Sequence, residues 1–553
     1  MKKTTFFFLL FFVFHLSYAQ EIDERLPYSW TLNLNNRVTT VELPPIDLTE
    51  VMEQDIINDR NKTLPWRYGV IRPVEINLQN QGVWTPLPNG SGEILQLKIK
   101  SPGAKNLGIN FNEFYLPEGA FLHIYNKNQS EISKTYTYSS NPPDKTLGSW
   151  FVSGEVIYIE YFEPTQAHGK GKLKIESIVH GYRMGTIEDI DDAPRGINDS
   201  GDCNYDVNCP IGNDFNNKKD ILKKAVALIN LGNGHLCSGV LVNTTVADRT
   251  PYLLTANHCL ENSNPSLWSV RFNWMSPNPI CGSDEESIDV QNNFTMSGVE
   301  VKANNTLSDF ALVELNNRIP NSWDVVFAGW DNSDVAPLFE VGIHHPNGDI
   351  MKICRDNSGA IKENAAGTLV WLIKGISAGN GDGWEIGTTE SGSSGSPLFN
   401  QNGKIIGQLY SGQAYCDGTA SNNDYDIYGR FGVSWNGGAN ENTRLKDWLD
   451  PIHTGQTSTE TLQNILNIPD NEFIGDLKIY PNPASSTLTI INNRYPNLTY
   501  RFMNVLGQSI KKGSLSNTTN ILNVEDFSEG IYFLHLIDED SNSEITKKII
   551  INR

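Results

Sequence analysis

Apolar and polar positions alternate along the first third of the chain. Glu93-Ile-Leu-Gln-Leu-Lys-Ile-Lys100, Phe121-Leu-His-Ile-Tyr125 and Glu155-Val-Ile-Tyr-Ile-Glu-Tyr-Phe162 are runs of this kind, with turn residues between them. A two-residue period puts one face of each run against a core, and the spacing predicts a β-sandwich over this region. The middle of the chain has shorter, more continuously apolar runs: Ala225–Leu231, Ser238–Val242, Tyr252–Ala256, Trp268–Trp274, Asp309–Leu315 and Ile405–Tyr410. These predict short strands, followed by a closing helix at Arg444–Leu449 that Pro451 stops. Toward the end, Leu477–Pro483, Leu488–Ile491, Ile521–Val524, Glu529–His535 and Ile545–Asn552 predict a second, smaller sandwich. No long heptad pattern is present, and the expected fold class is all-β.

The breaks between these patterns give the domain limits. Met1-Lys-Lys, the apolar run Phe6–Phe14 and Ser17-Tyr18-Ala19 form a secretory signal over residues 1–19. Residues 20–195 end in the acidic stretch Glu188–Arg195, an expected site for a nick, which reads either as a plain linker between two permanent domains or as the end of a pro-region. A central domain spans 196–455, a polar linker 456–472, and the terminal sandwich 473–553. No segment after the signal is long and apolar enough to span a bilayer.

At 553 residues the chain is long enough for several domains. The net charge of −21 makes nucleic acid and anionic membranes poor partners. All seven cysteines lie between Cys203 and Cys416, so an exported chain should form disulfides there and leave one thiol over. No Cys-x-x-Cys pair marks a metal site, and neither a metal nor an organic cofactor is expected.

One stretch of the central domain carries candidate chemistry. Ser394 lies in Gly392-Ser393-Ser394-Gly395-Ser396-Pro397, between strand-like runs. Small residues let the backbone turn sharply, and such a turn aims N–H groups, here those of Gly392 and Ser394, at one spot. By itself a Gly/Ser run is ordinarily a loop. A serine nucleophile needs a base and a group that orients the base. His258 ends the apolar run Leu254-Thr-Ala-Asn-His-Cys259, and Asp309 begins Asp-Phe-Ala-Leu-Val-Glu-Leu315. Taken singly, each is more often structural. Together, in the order His, Asp, Ser, they match the chain order of the chymotrypsin clan.

With those residues in hand, the segment Cys203–Pro451 resembles secreted bacterial lysyl endopeptidases of the trypsin-like superfamily. The resemblance rests on Cys203-Asn-Tyr-Asp-Val-Asn-Cys-Pro210, Thr255–Cys259, Ser308–Asn317, Ala328-Gly-Trp-Asp331, Ile343-His-His-Pro346, Thr389–Pro397 and Leu445–Pro451. It implies a chymotrypsin-like double β-barrel with His258 as general base, Asp309 as its orienting carboxylate and Ser394 as nucleophile. It also implies the disulfides Cys203–Cys416, Cys209–Cys281 and Cys237–Cys259, with Cys354 left free. Asp426 matches the family's pocket aspartate, which meets a basic side chain of the substrate. Trp371 matches a tryptophan that stacks nearby, and Tyr410 stands where the family has a histidine. The implied activity is hydrolysis of peptide bonds after lysine, with arginine the second basic residue.

The last stretch resembles the sorting domain of type IX secretion, through Ile479-Tyr-Pro-Asn-Pro483, Glu529-Gly-Ile-Tyr532 and a basic end at Lys547-Lys548 and Arg553. This implies an extracellular or surface-attached protein that engages that secretion machinery; polypeptide substrates as partners and a monomeric state are separate expectations. The competing expectation is an inactive surface-binding or adhesive protein on a protease fold. His344-His345 suggests a metal pair, but neighbours in a strand face opposite ways, and a structural role is expected.

Overall fold

The computed structural model describes residues 25–32, 38–184, 199–463, 477–492, 498–504, 508–515, 518–538 and 543–552. The predicted signal and the acidic stretch 188–195 lie outside the described residues. Two compact units are present, residues 1–463 and 464–553.

The first unit begins with two sheets packed face to face. One has the strands Thr39–Glu42, Gly92–Lys100, Val156–Pro164, Phe121–Asn126 and Ile132–Thr137 in that order, with Val83–Pro86 at its side. The other holds Val152–Ser153, Asn106–Tyr115, Lys172–Gly181 and Gly69–Asn77, with Leu147–Gly148 added. Leu97, Ile109, Phe111, Ile159 and Ile178 fill the space between them. This is the sandwich that the alternating runs predict.

The central region is built from two antiparallel sheets of eight strands each. The path of the first runs Phe294–Ser297, Ser269–Phe272, Val226–Asn230, His235–Leu241, Tyr252–Ala256, Phe310–Leu315 and Val299–Asn305. The second runs Tyr205–Asp206, Lys352–Asp356, Glu340–His344, Pro397–Asn400, Ile405–Gly412, Asp426–Arg430, Thr368–Ile373 and Ile361–Ala365. One continuous core that includes Val240, Leu254, Phe310, Trp330, Ile353 and Phe399 joins them. Strands buried on both faces read as unbroken apolar runs, which is why Tyr252–Ala256 and Phe310–Leu315 stand out in the sequence.

The eighth strand of the first sheet, Trp66–Arg67, comes from the N-terminal region and pairs with His235 and Leu236. Behind it, Trp66, Tyr68, Trp150 and Phe151 pack with Leu228, Leu236, Trp274 and Ile350 of the central region. The N-terminal region is therefore seated on the central sheets by both backbone pairing and apolar burial.

Cys203–Cys416, Cys209–Cys281 and Cys237–Cys259 are bonded. Cys354 is free and buried, and burial pushes its thiol well above its usual range, so it is held as a neutral thiol. Two expectations change. The closing helix starts at Lys446, two residues late, because Arg444 is extended and its guanidinium turns to Asp447. The predicted linker does not begin at 456. Ser458 and Leu462 make β-bridges to Asp331 and Phe327, and Lys404 Nζ donates to the Thr459 carbonyl at 2.8 Å. Backbone pairing of this kind is open to any sequence, so a polar composition does not rule it out.

The second unit has a three-stranded sheet, Leu477–Tyr480, Thr487–Asn492 and Thr519–Asn523. Its four-stranded sheet runs Ser509–Leu515, Leu498–Met503, Gly530–Asp538 and Ser543–Ile551. Leu488, Leu498, Phe502 and Leu534 form its core.

Candidate active site

Two neighbouring strands of the first central sheet position the histidine and the aspartate. Tyr252–Ala256 and Phe310–Leu315 pair so that Ala256 lies opposite Phe310, which brings the residues just past these ends together. Asp309 has a φ of 51°, a left-handed conformation that aspartate tolerates better than most residues. Its Oδ1 accepts the His258 backbone N–H at 3.0 Å, and its Oδ2 lies 2.8 Å from His258 Nδ1. The Cys237–Cys259 bond fixes the residue next to His258.

The strand His235–Leu241 ties this pair to the serine loop. Ser238 donates its backbone N–H to the Ser394 carbonyl at 2.8 Å and its hydroxyl to the Gly392 carbonyl at 3.0 Å. Gly395 turns at a φ of 81°, and a Cβ there would lie 2.2 Å from Thr255 Oγ1, so no side chain fits. Among the described residues, no backbone carbonyl takes the N–H of Gly392 or Ser394. The loop thus carries two open donors beside the Ser394 hydroxyl, which is what a developing oxyanion requires.

Below the loop, Asp426 is fully buried at the start of the strand Asp426–Arg430. Its Oδ2 accepts the Trp384 indole N–H and the Thr389 hydroxyl, each at 2.7 Å. Burial pushes its carboxyl above the usual range, against the pull of a cation and these donors. The cation is Lys62 of the N-terminal region. Its Nζ lies 2.6 Å from Asp426 Oδ1 and 2.7 Å from Thr389 Oγ1. The carbonyl of the same lysine accepts the Ser394 hydroxyl at 3.1 Å. One lysine therefore spans from the buried carboxylate to the serine oxygen.

Residues 197–429 match the family model of the lysyl endopeptidase C-terminal domain. Residues 478–552 match that of the secretion system C-terminal sorting domain. The chain thus carries a protease-related domain and a type IX sorting tail, the latter marking it for secretion and attachment at the cell surface. Among the described residues, no helix is long and apolar enough to cross a membrane. An endo-acting ulvan lyase of Formosa agariphila is 32% identical over 88 residues, 16% of this chain and 17% of that protein. The chain therefore spans under a fifth of the length of that relative. A structure of PorZ, a surface component of the type IX system of Porphyromonas gingivalis, is 10% identical, with 58% of this chain and 41% of that one covered at a TM-score of 0.13.

The other residues singled out in the sequence lie as follows. Tyr410 packs beside His258, with ring centroids 6.2 Å apart. Trp371 is buried with its N–H donated to the Ile406 carbonyl at 2.9 Å, so the indole in contact with Asp426 is that of Trp384. Trp384 and Thr389 carry no periodic signal. The three-glycine loop Gly379–Gly383 before Trp384, with no strand pattern, is the one local hint. His344 and His345 are both fully buried, His344 Nδ1 against Ser393 Oγ at 2.8 Å and His345 Nδ1 against the Asp349 carbonyl at 2.9 Å. They brace the serine loop and the turn that follows the strand Glu340–His344. In the N-terminal sandwich, Glu93, Glu163 and His168 approach within cation-sharing distance. Glu163 is already occupied by the Tyr161 hydroxyl and the N–H groups of Gly169 and Gly171.

Proposed function

We propose that residues 196–455 form a secreted serine endopeptidase that cuts peptide bonds after basic residues, lysine foremost. The two eight-stranded antiparallel sheets support a chymotrypsin-like double β-barrel. The observation that carries the reading is the lysine span: a buried carboxylate lies one lysine length from a serine hydroxyl, in a domain that also presents a His–Asp pair.

In this mechanism Asp426 receives the substrate ammonium, helped by the donors of Trp384 and Thr389. An unpaired buried charge is costly, so acidic and apolar residues are rejected. Ser394 Oγ attacks the carbonyl carbon while His258 Nε2 takes its proton, and Asp309 steadies the imidazolium through Nδ1. The Gly392 and Ser394 N–H groups hold the oxyanion. The C–N bond breaks as His258 protonates the leaving amine. Water, deprotonated by His258, then releases the acyl group from Ser394. Each step uses only side chains and backbone N–H groups of the domain, and water.

A fluorophosphonate probe tests the assignment. The secreted, processed protein is expected to label at Ser394, and Ser394→Ala protein is not. A processed wild-type protein that stays unlabelled would favour the reading of an inactive surface-binding protein instead.

A further inference from the structure

We propose that Asp59–Thr63 of the pro-region is a tethered, substrate-like inhibitor, with Lys62 filling the lysine pocket and its carbonyl engaging the nucleophile. The inference rests on the hydrolase reading and adds its regulation. Five contacts made by Asp59, Arg60 and Lys62 make the case. The Asp59 carbonyl accepts the Ser391 hydroxyl at 2.8 Å. The Arg60 guanidinium lies 3.9 Å above the Tyr415 ring. Lys62 Nζ binds Asp426 and Thr389, and the Lys62 carbonyl accepts from Ser394. Lys62 is 3% exposed, a rare state for a lysine without a partner.

The segment is shaped in advance. It leaves the helix Thr49–Asn58 and re-enters the strand Trp66–Arg67, and the two ends are clamped by Asp55. Arg67 Nε donates to Asp55 Oδ1 at 2.7 Å, and the Tyr182 hydroxyl and Arg183 take Oδ2. Inside the loop, Asn61 Oδ1 accepts the Thr63 N–H at 3.1 Å and its hydroxyl at 2.6 Å. A loop held at both ends and braced across its centre loses little freedom on docking, so its contacts go into occupancy.

The same geometry explains how the lysine is held without being consumed. The Asn61 carbonyl accepts the Leu64 N–H at 3.1 Å, so Lys62 and Thr63 form the middle of a turn instead of an extended strand. The Ser394 hydroxyl points its proton at the Lys62 oxygen. Among the described residues, His258 Nε2 has no hydrogen-bond partner. The proton that must pass to His258 before attack is directed elsewhere, and the pocket is closed to other basic residues.

Two measurements on the full chain test this. The first is amine acetylation with mass spectrometry on Ser394→Ala protein, which cannot cut itself at this serine. Lys62 is expected to be protected relative to exposed Lys170, and to become reactive when Asp426→Asn is added. Lys62 as reactive as Lys170 in the parent overturns the proposal, whether or not any Lys62 variant folds. The second is fluorophosphonate labelling of the uncut precursor in short pulses. Lys62→Glu sets two carboxylates against each other and should label ~10-fold or more faster than the wild-type precursor. Equal rates for the two overturn it. If Lys62 is protected and released by Asp426→Asn, yet neither precursor nor processed protein labels, the lysine seat stands and the hydrolase reading falls.

Discussion

Asp309 holds His258 at two points, the backbone N–H through Oδ1 at 3.0 Å and ring Nδ1 through Oδ2 at 2.8 Å. The ring can neither rotate nor change tautomer while both bonds persist. Replacing Asp309 with Asn turns one acceptor into a donor and should lower kcat about 10⁴-fold, while Ser394→Ala or His258→Ala should cost on the order of 10⁶. Steady-state kinetics on the processed protein with a lysyl ester decide this, and near-normal turnover of Ser394→Ala contradicts the assignment.

Asp426→Ser should abolish cleavage after lysine and arginine yet leave Ser394 open to a small organophosphate. Trp384→Phe removes one donor from the carboxylate and should reduce kcat/KM for lysyl substrates by about 10-fold, mostly through KM. Trp371→Phe should instead lower stability by about 1 kcal/mol with KM unchanged, because its N–H serves the Ile406 carbonyl. Peptide profiling together with thermal melts separates these outcomes.

Acid should loosen the serine loop. Burial keeps His344 neutral well below its usual range and lowers His345 to about 4, with the neighbouring His345, Lys62 and Lys352 adding to the effect at His344. An imidazole whose pKa is lower folded than unfolded stabilises the fold fully above about 6.5 and loses that contribution as pH falls toward 4. For His345 this amounts to on the order of 3 kcal/mol at neutral pH. The melting temperature of Ser394→Ala protein should fall between pH 7.5 and 4.5, and His345→Gln should flatten that fall. Identical pH profiles for the two proteins would exclude this origin.

The residue before Ser394, the proposed nucleophile, is Ser393, which carries no charge and contacts His344 at 2.8 Å. A new N-terminal ammonium has no carboxylate to meet at that position. Extra residues placed before Gly196 should therefore leave the activity of the processed protein nearly intact, and a large loss of kcat would show that a free N-terminus is required.

The sorting tail makes a separate prediction. Deleting residues 473–553 should leave an active protein that fails to reach the cell exterior. Immunoblots of cell and medium fractions check it, and unchanged export would remove the tail from that role.

The strands that carry His258 and Asp309 were legible because strands buried on both faces are unbroken apolar runs that end abruptly at the site. Ser394 was legible from the small residues its turn demands. Lys62 was not. Asp59-Arg60-Asn61-Lys62-Thr63 reads as a polar turn, and its meaning depends on a carboxylate 364 positions away. Trp384 and Thr389 escaped for a similar reason, since a loop residue's partner is set by tertiary approach and leaves no period in the sequence. Trp371 and Trp384 differ in what their N–H groups reach, which composition cannot show.

All six bonded cysteines lie between 203 and 416, downstream of Arg195. A cut in the acidic stretch before Gly196 would leave no covalent link between the pro-region and the central domain. Before the cut, the Lys62 segment faces its pocket at an effective concentration set by the tether, of millimolar order. After such a cut, occupancy would depend on how much free N-terminal region surrounds the central domain. In a confined compartment the two halves would stay together and silent. In open medium, simple dilution would separate them and switch the protein on.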